Sequence, residues 1–149
     1  MGIYSEKAVN NFRTGYNCAQ SVFLAFTEKF EIDEETALKL SSSFGGGMGR
    51  LREVCGAVTS MFAIAGVLKG YTSPTNDDDK ARHYELIQHL AKKFKEKFNT
   101  YICRELLELS EDEEESPIPS KRTEEYYATR PCEEFIKYAA ELIEEELLK

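Results

Sequence analysis

Four cysteines are the side chains of this sequence best suited to chemistry. Cys18, Cys55 and Cys132 each fall in the first turn of a predicted helix, where unpaired backbone N–H groups and the helix dipole favour a thiolate over a thiol. Cys103 is predicted near the far end of a long helix, where the dipole would oppose ionisation, and it suits a resolving thiol or a ligand. The alternative for each is that it packs as a small apolar residue.

Two kinds of redox site would use these thiols. A thiol–disulfide relay needs one pair of sulfurs that can approach to a bonding distance of about 2 Å, with one thiolate open to attack. An iron–sulfur cluster needs four ionised thiolates around one cavity. The absence of any Cys-x-x-Cys pair excludes a zinc ribbon and a thioredoxin motif. Both interpretations therefore stay open, with the same candidate catalytic or metal-binding residues: Cys18, Cys55, Cys103 and Cys132.

A glycine cluster precedes the second cysteine and is the candidate site for a cofactor or an anion. Gly45, Gly46 and Gly47 could expose backbone amides, while Arg50 and Arg52 add positive charge. The cluster is not a P-loop, because no Lys followed by Ser or Thr is present. A tight connection between helices is the alternative.

The elements that must position these residues follow from apolar periodicity, which predicts an all-α fold. We expect a compact bundle of about five to six helices around a central helix rich in small residues. Ser5 is predicted to start a short first helix that breaks at Gly15, and Asn17 to cap a second helix that runs to about Phe30. Asp33 opens the third helix. The central helix spans about residues 53–68.

The second half of the chain holds two further predicted helices. Asn76 or Asp77 is predicted to cap a long helix, and the apolar stripe predicts that this helix extends to Leu109. Residues 110–130 are acidic and contain prolines, which predicts an irregular connection. Pro131 suits the start of the last helix. The apolar positions of that helix are Phe135, Ile136, Ala139, Ala140, Leu142, Ile143 and Leu147.

Length and charge bound the function. A chain of 149 residues matches a single helical domain over residues 1–149. The net charge of −8 argues against nucleic acid and anionic lipid as partners. The longest uncharged stretch, residues 54–68, is shorter than the roughly 20 residues that span a bilayer, so no membrane insertion is expected. The lack of a secretory signal predicts a cytoplasmic protein with reduced cysteines.

The cysteines and their neighbours together carry a family resemblance. The relevant stretches are Gly15-Tyr16-Asn17-Cys18-Ala19-Gln20, Phe44-Gly45-Gly46-Gly47-Met48-Gly49-Arg50, Cys55-Gly56-Ala57-Val58-Thr59-Ser60, and the later Cys103 and Cys132. With them the sequence resembles the C_GCAxxG_C_C family, named for four cysteines and a Cys-Gly-Ala motif, over nearly the whole chain. The resemblance implies a redox role and, through frequent genomic association with transporters, a link to transport. Ser60 stands where the family motif ends in glycine, a change that could alter helix packing or add a hydroxyl near the site.

Two function classes follow from these features. The first is a cysteine-based oxidoreductase whose partner is a redox protein or a small molecule. The second is a non-catalytic binding module that holds a small anion or a partner protein with the glycine cluster and the acidic segment. A homodimer through the last helix is also considered, because its Leu and Ile face could pack on a second copy as readily as on the core.

Overall fold

The computed structural model describes residues 2–109 and 116–149, and these residues form an all-α fold. Their secondary structure comprises α1 (Ile3–Arg13), α2 (Cys18–Ala25), a 3₁₀ turn (Thr27–Lys29), α3 (Glu34–Ser42), α4 (Gly45–Met48), α5 (Gly56–Lys69), α6 (Asp77–Phe98), α7 (Cys103–Leu106), α8 (Glu124–Thr129) and α9 (Cys132–Leu147). The predicted class is confirmed. The helices outnumber the five to six predicted, because the short α4, α7 and α8 fall where the sequence indicates loops or part of a longer helix.

Polar caps set the starts of α2, α3 and α6 where the sequence predicts them. The Asn17 side chain accepts from the amide of Gln20, and the Gln20 side chain accepts from the amide of Asn17, so α2 begins with a complete capping box. Asp33 caps α3 and Asn76 caps α6 in the same way, each accepting from a backbone amide three residues on. Gly15, at φ 114°, separates α1 from α2.

Two boundaries in the first half differ from the prediction. Helix α1 begins at Ile3 rather than at Ser5, because Ser5 is buried and its hydroxyl donates to the carbonyl of Gly2. Helix α2 ends at Ala25, and the 3₁₀ turn follows it before Phe30.

Helix α5 forms the centre of the core. It packs against α2 and α9, and α1 packs against the same two helices, while α6 lies across α5 and α9. Its buried positions include Ala57, Val58, Met61, Ile64 and Ala65, so the predicted central helix rich in small residues is confirmed. All seven apolar positions predicted for the last helix are buried on α9: Phe135, Ile136, Ala139, Ala140, Leu142, Ile143 and Leu147.

Helix α6 is shorter than its apolar stripe suggested. It ends at Phe98, because Asn99 adopts a left-handed conformation with φ 71°. The prediction that this helix extends to Leu109 is therefore wrong. The apolar pattern continues beyond the end of the helix because Tyr101 and Leu106, which follow it, also pack against the core.

The predicted connection over residues 110–130 is partly helical. Residues 110–115 lie outside the described part of the chain. Residues 116–123 have no regular secondary structure, and α8 then begins after Thr123, whose hydroxyl accepts from the amide of Tyr126. Pro131 is the N-cap of α9, directly before Cys132.

No helix within residues 2–109 and 116–149 combines the length and the apolar character that crossing a bilayer requires. Helix α5 is the most apolar of the long helices, and it has 14 residues, fewer than the roughly 20 that span a hydrocarbon core.

Candidate functional site

All four cysteines line one cavity of about 280 Å³. Cys18, Cys103 and Cys132 are the first residues of α2, α7 and α9, and Cys55 is the N-cap of α5. The fold thus brings together residues that are far apart in the chain. The predicted position of Cys103 is wrong in its detail, since this residue lies at the start of a short helix and not at the end of the long one.

Close packing of α2 against α5 brings Cys18 to the start of α5. A Cβ on Gly56 would lie 2.6 Å from the Cys18 Sγ and 2.7 Å from the Phe44 carbonyl oxygen, so only glycine fits here. One turn further along α5, the buried Ser60 hydroxyl donates to the Ala19 carbonyl at 2.7 Å. Ser60, the departure from the family motif, therefore joins the two helices immediately beside the cysteine.

An isolated antiparallel bridge between Val54 and Ile102 joins the segments that precede α5 and α7, which carry Cys55 and Cys103. The Cys55 amide donates to the Tyr101 carbonyl at 2.8 Å, and the Cys103 amide donates to the Glu53 carbonyl at 2.6 Å. This two-residue pairing fixes the start of α7 against the start of α5.

The Cys18 sulfur is the acceptor of the site. The Cys55 thiol donates a hydrogen bond to it, and this contact, joined by the backbone amides of Gly46, Gly56 and Ala19, lowers the pKa of Cys18 to about 6 against the opposing effect of burial. Cys18 is therefore largely a thiolate at neutral pH. It is also partly exposed, whereas Cys55 and Cys103 are 5% and 7% exposed.

The other three cysteines are held as neutral thiols. The pKa of Cys55 is raised well above its usual value by its hydrogen bond to Cys18 and by burial. Burial also raises the pKa of Cys103, although the Arg52 Nη1 lies 3.6 Å from its sulfur and opposes the rise. Burial and the charge on Cys18 raise the pKa of Cys132 to about 12. The prediction that helix starts favour a thiolate at Cys55 and Cys132 is thus wrong, because the hydrogen bond to Cys18 and burial raise the pKa of Cys55, and burial raises that of Cys132.

The glycine cluster forms one wall of the cavity. Gly45, Gly46 and Arg50 line it, whereas Gly47 lies behind it, where a Cβ would come 2.6 Å from the Cys103 Cβ. The backbone from Gly46 to Arg52 is dominated by left-handed conformations, which cost a non-glycine residue about 1 kcal/mol or more. Positive φ angles occur at Gly46, Gly47, Met48, Gly49, Arg50 and Arg52. Such concentrated strain is typical of functional sites.

Four arginines line the same cavity: Arg50, Arg52, Arg122 and Arg130. Within residues 2–109 and 116–149, no Asp or Glu lines it, and none of the four forms a salt bridge. Sequence reasoning identified Arg50 and Arg52 but missed the other two. The position of Arg130, two residues before Cys132, was the available signal.

Arg122 connects the outer wall of the cavity, the part formed by residues after 116, to α1 and to the turn between α1 and α2. Its guanidinium donates to the carbonyls of Phe12 and Tyr16 at 3.1 and 3.0 Å and lies over the rings of Phe12 and Tyr126. Tyr126 itself lines the cavity, while the Tyr127 hydroxyl donates to the carbonyl of Arg13 at 3.3 Å. Tyr126 therefore lines the cavity, and Tyr127 holds the cavity wall against α1.

The cysteines do not form a site for a single metal ion. Across the described parts of the chain, no group of three His, Cys, Asp or Glu side chains has the arrangement needed to hold one. The four sulfurs nevertheless face one cavity, which is the donor set that a cluster would need.

Comparison with known proteins gives one match. A sequence model of the family described as "Putative redox-active protein (C_GCAxxG_C_C)" matches residues 16–146. Neither the curated proteins nor the solved structures give a significant match. The matched range contains all four cysteines, the glycine cluster and the four arginines of the cavity.

Proposed function

The chain belongs to the family described as "Putative redox-active protein (C_GCAxxG_C_C)", and from that premise we propose that it is a thiol–disulfide oxidoreductase with Cys18 as nucleophile and Cys55 as resolving thiol. The observation that carries the proposal is the close packing of the start of α2 on the start of α5, which brings Cys18 and Cys55 to one cavity. It holds two sulfurs together from the outset, with the negative charge on the partly exposed one.

The reaction consists of two exchanges. The Cys18 thiolate attacks one sulfur of a substrate disulfide, forms a mixed disulfide with it, and releases the other sulfur as a thiolate. Cys55 then loses its proton to solvent or to that leaving thiolate and attacks the Cys18 sulfur. The products are a Cys18–Cys55 disulfide and a second substrate thiol. Two electrons pass from the protein to the substrate.

Cys103 and Cys132 complete the relay. Both are thiols on the same cavity, and the Val54–Ile102 bridge fixes the start of α7 relative to the start of α5. A neutral thiol that ionises transiently can accept the disulfide by a further exchange. These two cysteines would thus return the protein to a state in which Cys18 is reduced.

Mapping of the first disulfide tests the order of events. Reduced protein is treated without oxygen with one equivalent of 2-hydroxyethyl disulfide, and the products are identified by peptide mass spectrometry under non-reducing conditions. We expect a Cys18–Cys55 disulfide. Cys55→Ser should stop at a mixed disulfide on Cys18, while Cys132→Ser should still form the Cys18–Cys55 bond. Formation of any other first disulfide would overturn the proposal.

A four-cysteine iron–sulfur cluster is the competing redox proposal, supported by the shared cavity. Purification without oxygen, visible absorption, and iron and sulfide analysis decide between the two. A brown protein with stoichiometric iron and sulfide, both lost when the cysteines are replaced, would make electron transfer the function. A colourless protein with one fast thiol supports the exchange mechanism.

Replacement of all four cysteines by serine distinguishes redox chemistry from the binding-module alternative. The partner tested in this way can be a redox protein or a protein associated with a transporter. Partner binding that survives this replacement would favour the binding module. Loss of thiol exchange, with helix content and unfolding cooperativity unchanged, would favour the oxidoreductase.

A further inference from the structure

The charge of the cavity is opposite to that of the protein. The chain carries a net charge of −8, yet the cavity is lined by four arginines and by no carboxylate of the described residues. We propose that the substrate attacked by Cys18 is a small disulfide that carries a negative charge, held by Arg50 with Arg52 and Arg130. This inference rests on the proposed function and adds the class of substrate to it.

The arginines are not equally available to a ligand. Arg122 is occupied by two carbonyls and two aromatic rings, so it serves the wall. Arg52 touches the Cys103 sulfur, and Arg130 touches the Ser120 hydroxyl at 3.5 Å. None of these contacts neutralises a guanidinium, because each partner is an uncharged group.

Arg50 has the strongest need for a ligand. Its Nη1 donates to the Ile118 carbonyl, but its Nε is buried and has no hydrogen-bond partner within the described residues. A buried donor without a partner costs roughly 1–3 kcal/mol, and more when it is charged. Burial and repulsion from Arg52 and Arg130 also lower the pKa of Arg50. A bound anion would give the Nε an acceptor and would offset the repulsion among the three guanidinium groups.

The dimensions of the cavity favour a small molecule over a protein surface. Its volume of about 280 Å³ lies below the roughly 300–1,000 Å³ of typical ligand pockets. Pro117, Pro119 and Ser120 form part of its wall, and the Arg50–Ile118 contact holds this segment in place. A protein disulfide would have to displace that wall, whereas a short free disulfide fits within it.

The same charges also assist the exchange reaction. Attack by Cys18 transfers negative charge to the leaving sulfur of the substrate. Guanidinium groups on the cavity wall stabilise that charge as it develops, as fixed positive groups do in other sites where an anion forms. An anionic substituent on the substrate therefore contributes to binding, and the arginines contribute to both binding and departure of the thiolate.

A ratio of two rate constants measures this selectivity directly. The rate of mixed-disulfide formation on Cys18 is measured for dithiodiglycolate, which carries two carboxylates, and for the neutral 2-hydroxyethyl disulfide. For each protein, the rate with dithiodiglycolate is divided by the rate with 2-hydroxyethyl disulfide. This ratio is then divided by the same ratio for the chain unfolded in urea, which corrects for the intrinsic reactivity of the two disulfides. The amount of thiolate cancels in the ratio, so a shift in the pKa of Cys18 does not affect it.

We expect the folded protein to favour the anionic disulfide by about tenfold over the unfolded chain. Arg50→Gln should remove most of this preference, because it slows the anionic disulfide far more than the neutral one, which loses only stabilisation of its leaving thiolate. Arg82→Gln is the matched control, because it removes the same charge from an exposed pair with Asp79 elsewhere on the protein, and it should keep the preference. An equal ratio in the folded and unfolded wild-type chain would overturn the substrate class.

A second measurement keeps this inference separate from the proposed function. If Cys18 reacts with neither disulfide, the exchange mechanism fails, and the anion site is tested alone by thermal unfolding in sulfate against chloride at equal ionic strength. A higher midpoint in sulfate that disappears in Arg50→Gln would support an anion site. No difference between wild type and Arg50→Gln in sulfate would overturn it.

Discussion

The cavity is lined by two pairs of cysteines whose pKa values differ, although the side chains are chemically identical. Cys18 and Cys55, the inner pair, lie at the starts of two helices that pack tightly on each other. Cys103 and Cys132, the outer pair, lie at the starts of α7 and α9 and line the same cavity. Only Cys18 has a lowered pKa, although all four residues lie at helix N-termini.

The difference shows what creates a reactive thiolate in this fold. A helix N-terminus is shared by all four cysteines, so it cannot be the deciding factor. Cys18 differs in having a thiol donor in Cys55 and amide donors from two separate elements, the glycine cluster and α5. Specific hydrogen bonds therefore overcome desolvation at Cys18, whereas Cys55 is kept neutral chiefly as the donor of one of those bonds and desolvation prevails at Cys103 and Cys132.

Removal of the thiol donor should have the largest effect on this contrast. Cys55→Ala is expected to raise the pKa of Cys18 from about 6 toward the ordinary value of about 8.5. Alkylation by iodoacetamide at pH 6.5 should slow by about tenfold, since the loss of thiolate is partly offset by greater nucleophilicity. The pH dependence of the alkylation rate gives the pKa. Cys132→Ala is the control, and an equal shift in that variant would contradict the assignment.

A methyl group between the inner pair should disturb it sterically. Gly56→Ala places a Cβ 2.6 Å from the Cys18 sulfur and is expected to destabilise the fold by about 1–3 kcal/mol while slowing alkylation of Cys18. Gly66→Ala in the same helix meets nothing within 4 Å and should be neutral or stabilising by up to about 1 kcal/mol. Urea unfolding measures both. Equal effects of the two substitutions would mean that α2 and α5 do not pack as described.

The dependence of stability on pH should separate the two pairs. Cys18 has a pKa of about 6 in the folded state, below its value of about 8.5 in the unfolded chain, so its stabilisation is complete above pH 8.5 and is lost as the pH falls through 6. The difference in unfolding free energy between wild type and Cys18→Ser should therefore grow from pH 5.5 to 8.5, by at least about 1.4 kcal/mol.

The outer pair should show the opposite sign. Cys132 has a raised pKa, so its contribution is complete below pH 8.5 and declines above it as the unfolded chain ionises. Cys132→Ser should lose stability relative to wild type at low pH and regain part of it above pH 9. Urea unfolding at each pH measures the difference in unfolding free energy between each variant and wild type. If this difference changes with pH in the same way for Cys18→Ser and Cys132→Ser, the two pairs of cysteines are not distinct in their ionisation.

The smallest expected effect comes from Ser60. Ser60→Ala removes the hydrogen bond to the Ala19 carbonyl and should cost about 1 kcal/mol of stability, with little change in the alkylation rate of Cys18. Thermal unfolding and the alkylation assay measure the two quantities. A large loss of reactivity without loss of stability would give the hydroxyl a role in the site itself.

Local signals accounted for much of the fold. Asn17 and Asp33 were identified as caps, and Asn76 as one of two candidates, because a short polar side chain before an apolar repeat favours a helix start. The buried face of α9 followed from a helical period that is regular along its whole length. The end of α6 at Asn99 was missed, because a left-handed residue leaves little trace when apolar residues continue beyond it.

The site was predictable in its members but not in its electrostatics. The cysteines could be chosen by residue type, and the structure brings all four to one cavity. The pKa of each depends on burial and on partners such as Gly46, whose proximity to Cys18 arises only from tertiary packing. Arg122 was overlooked for the same reason, since it lies in a polar stretch and acquires its role only through contact with Phe12 and Tyr16.

The position of Arg122 has a consequence for folding. Its guanidinium contacts the carbonyls of Phe12 and Tyr16, which lie 110 and 106 positions away along the chain, and α9 packs on α1 and α5. Contacts between residues so distant in sequence form late, because closing a long loop costs entropy before the contacts can offset it. The cavity wall that holds Arg122, Arg130 and Cys132 is therefore expected to close only when these distant elements have come together. The four cysteines share one cavity only in that folded state.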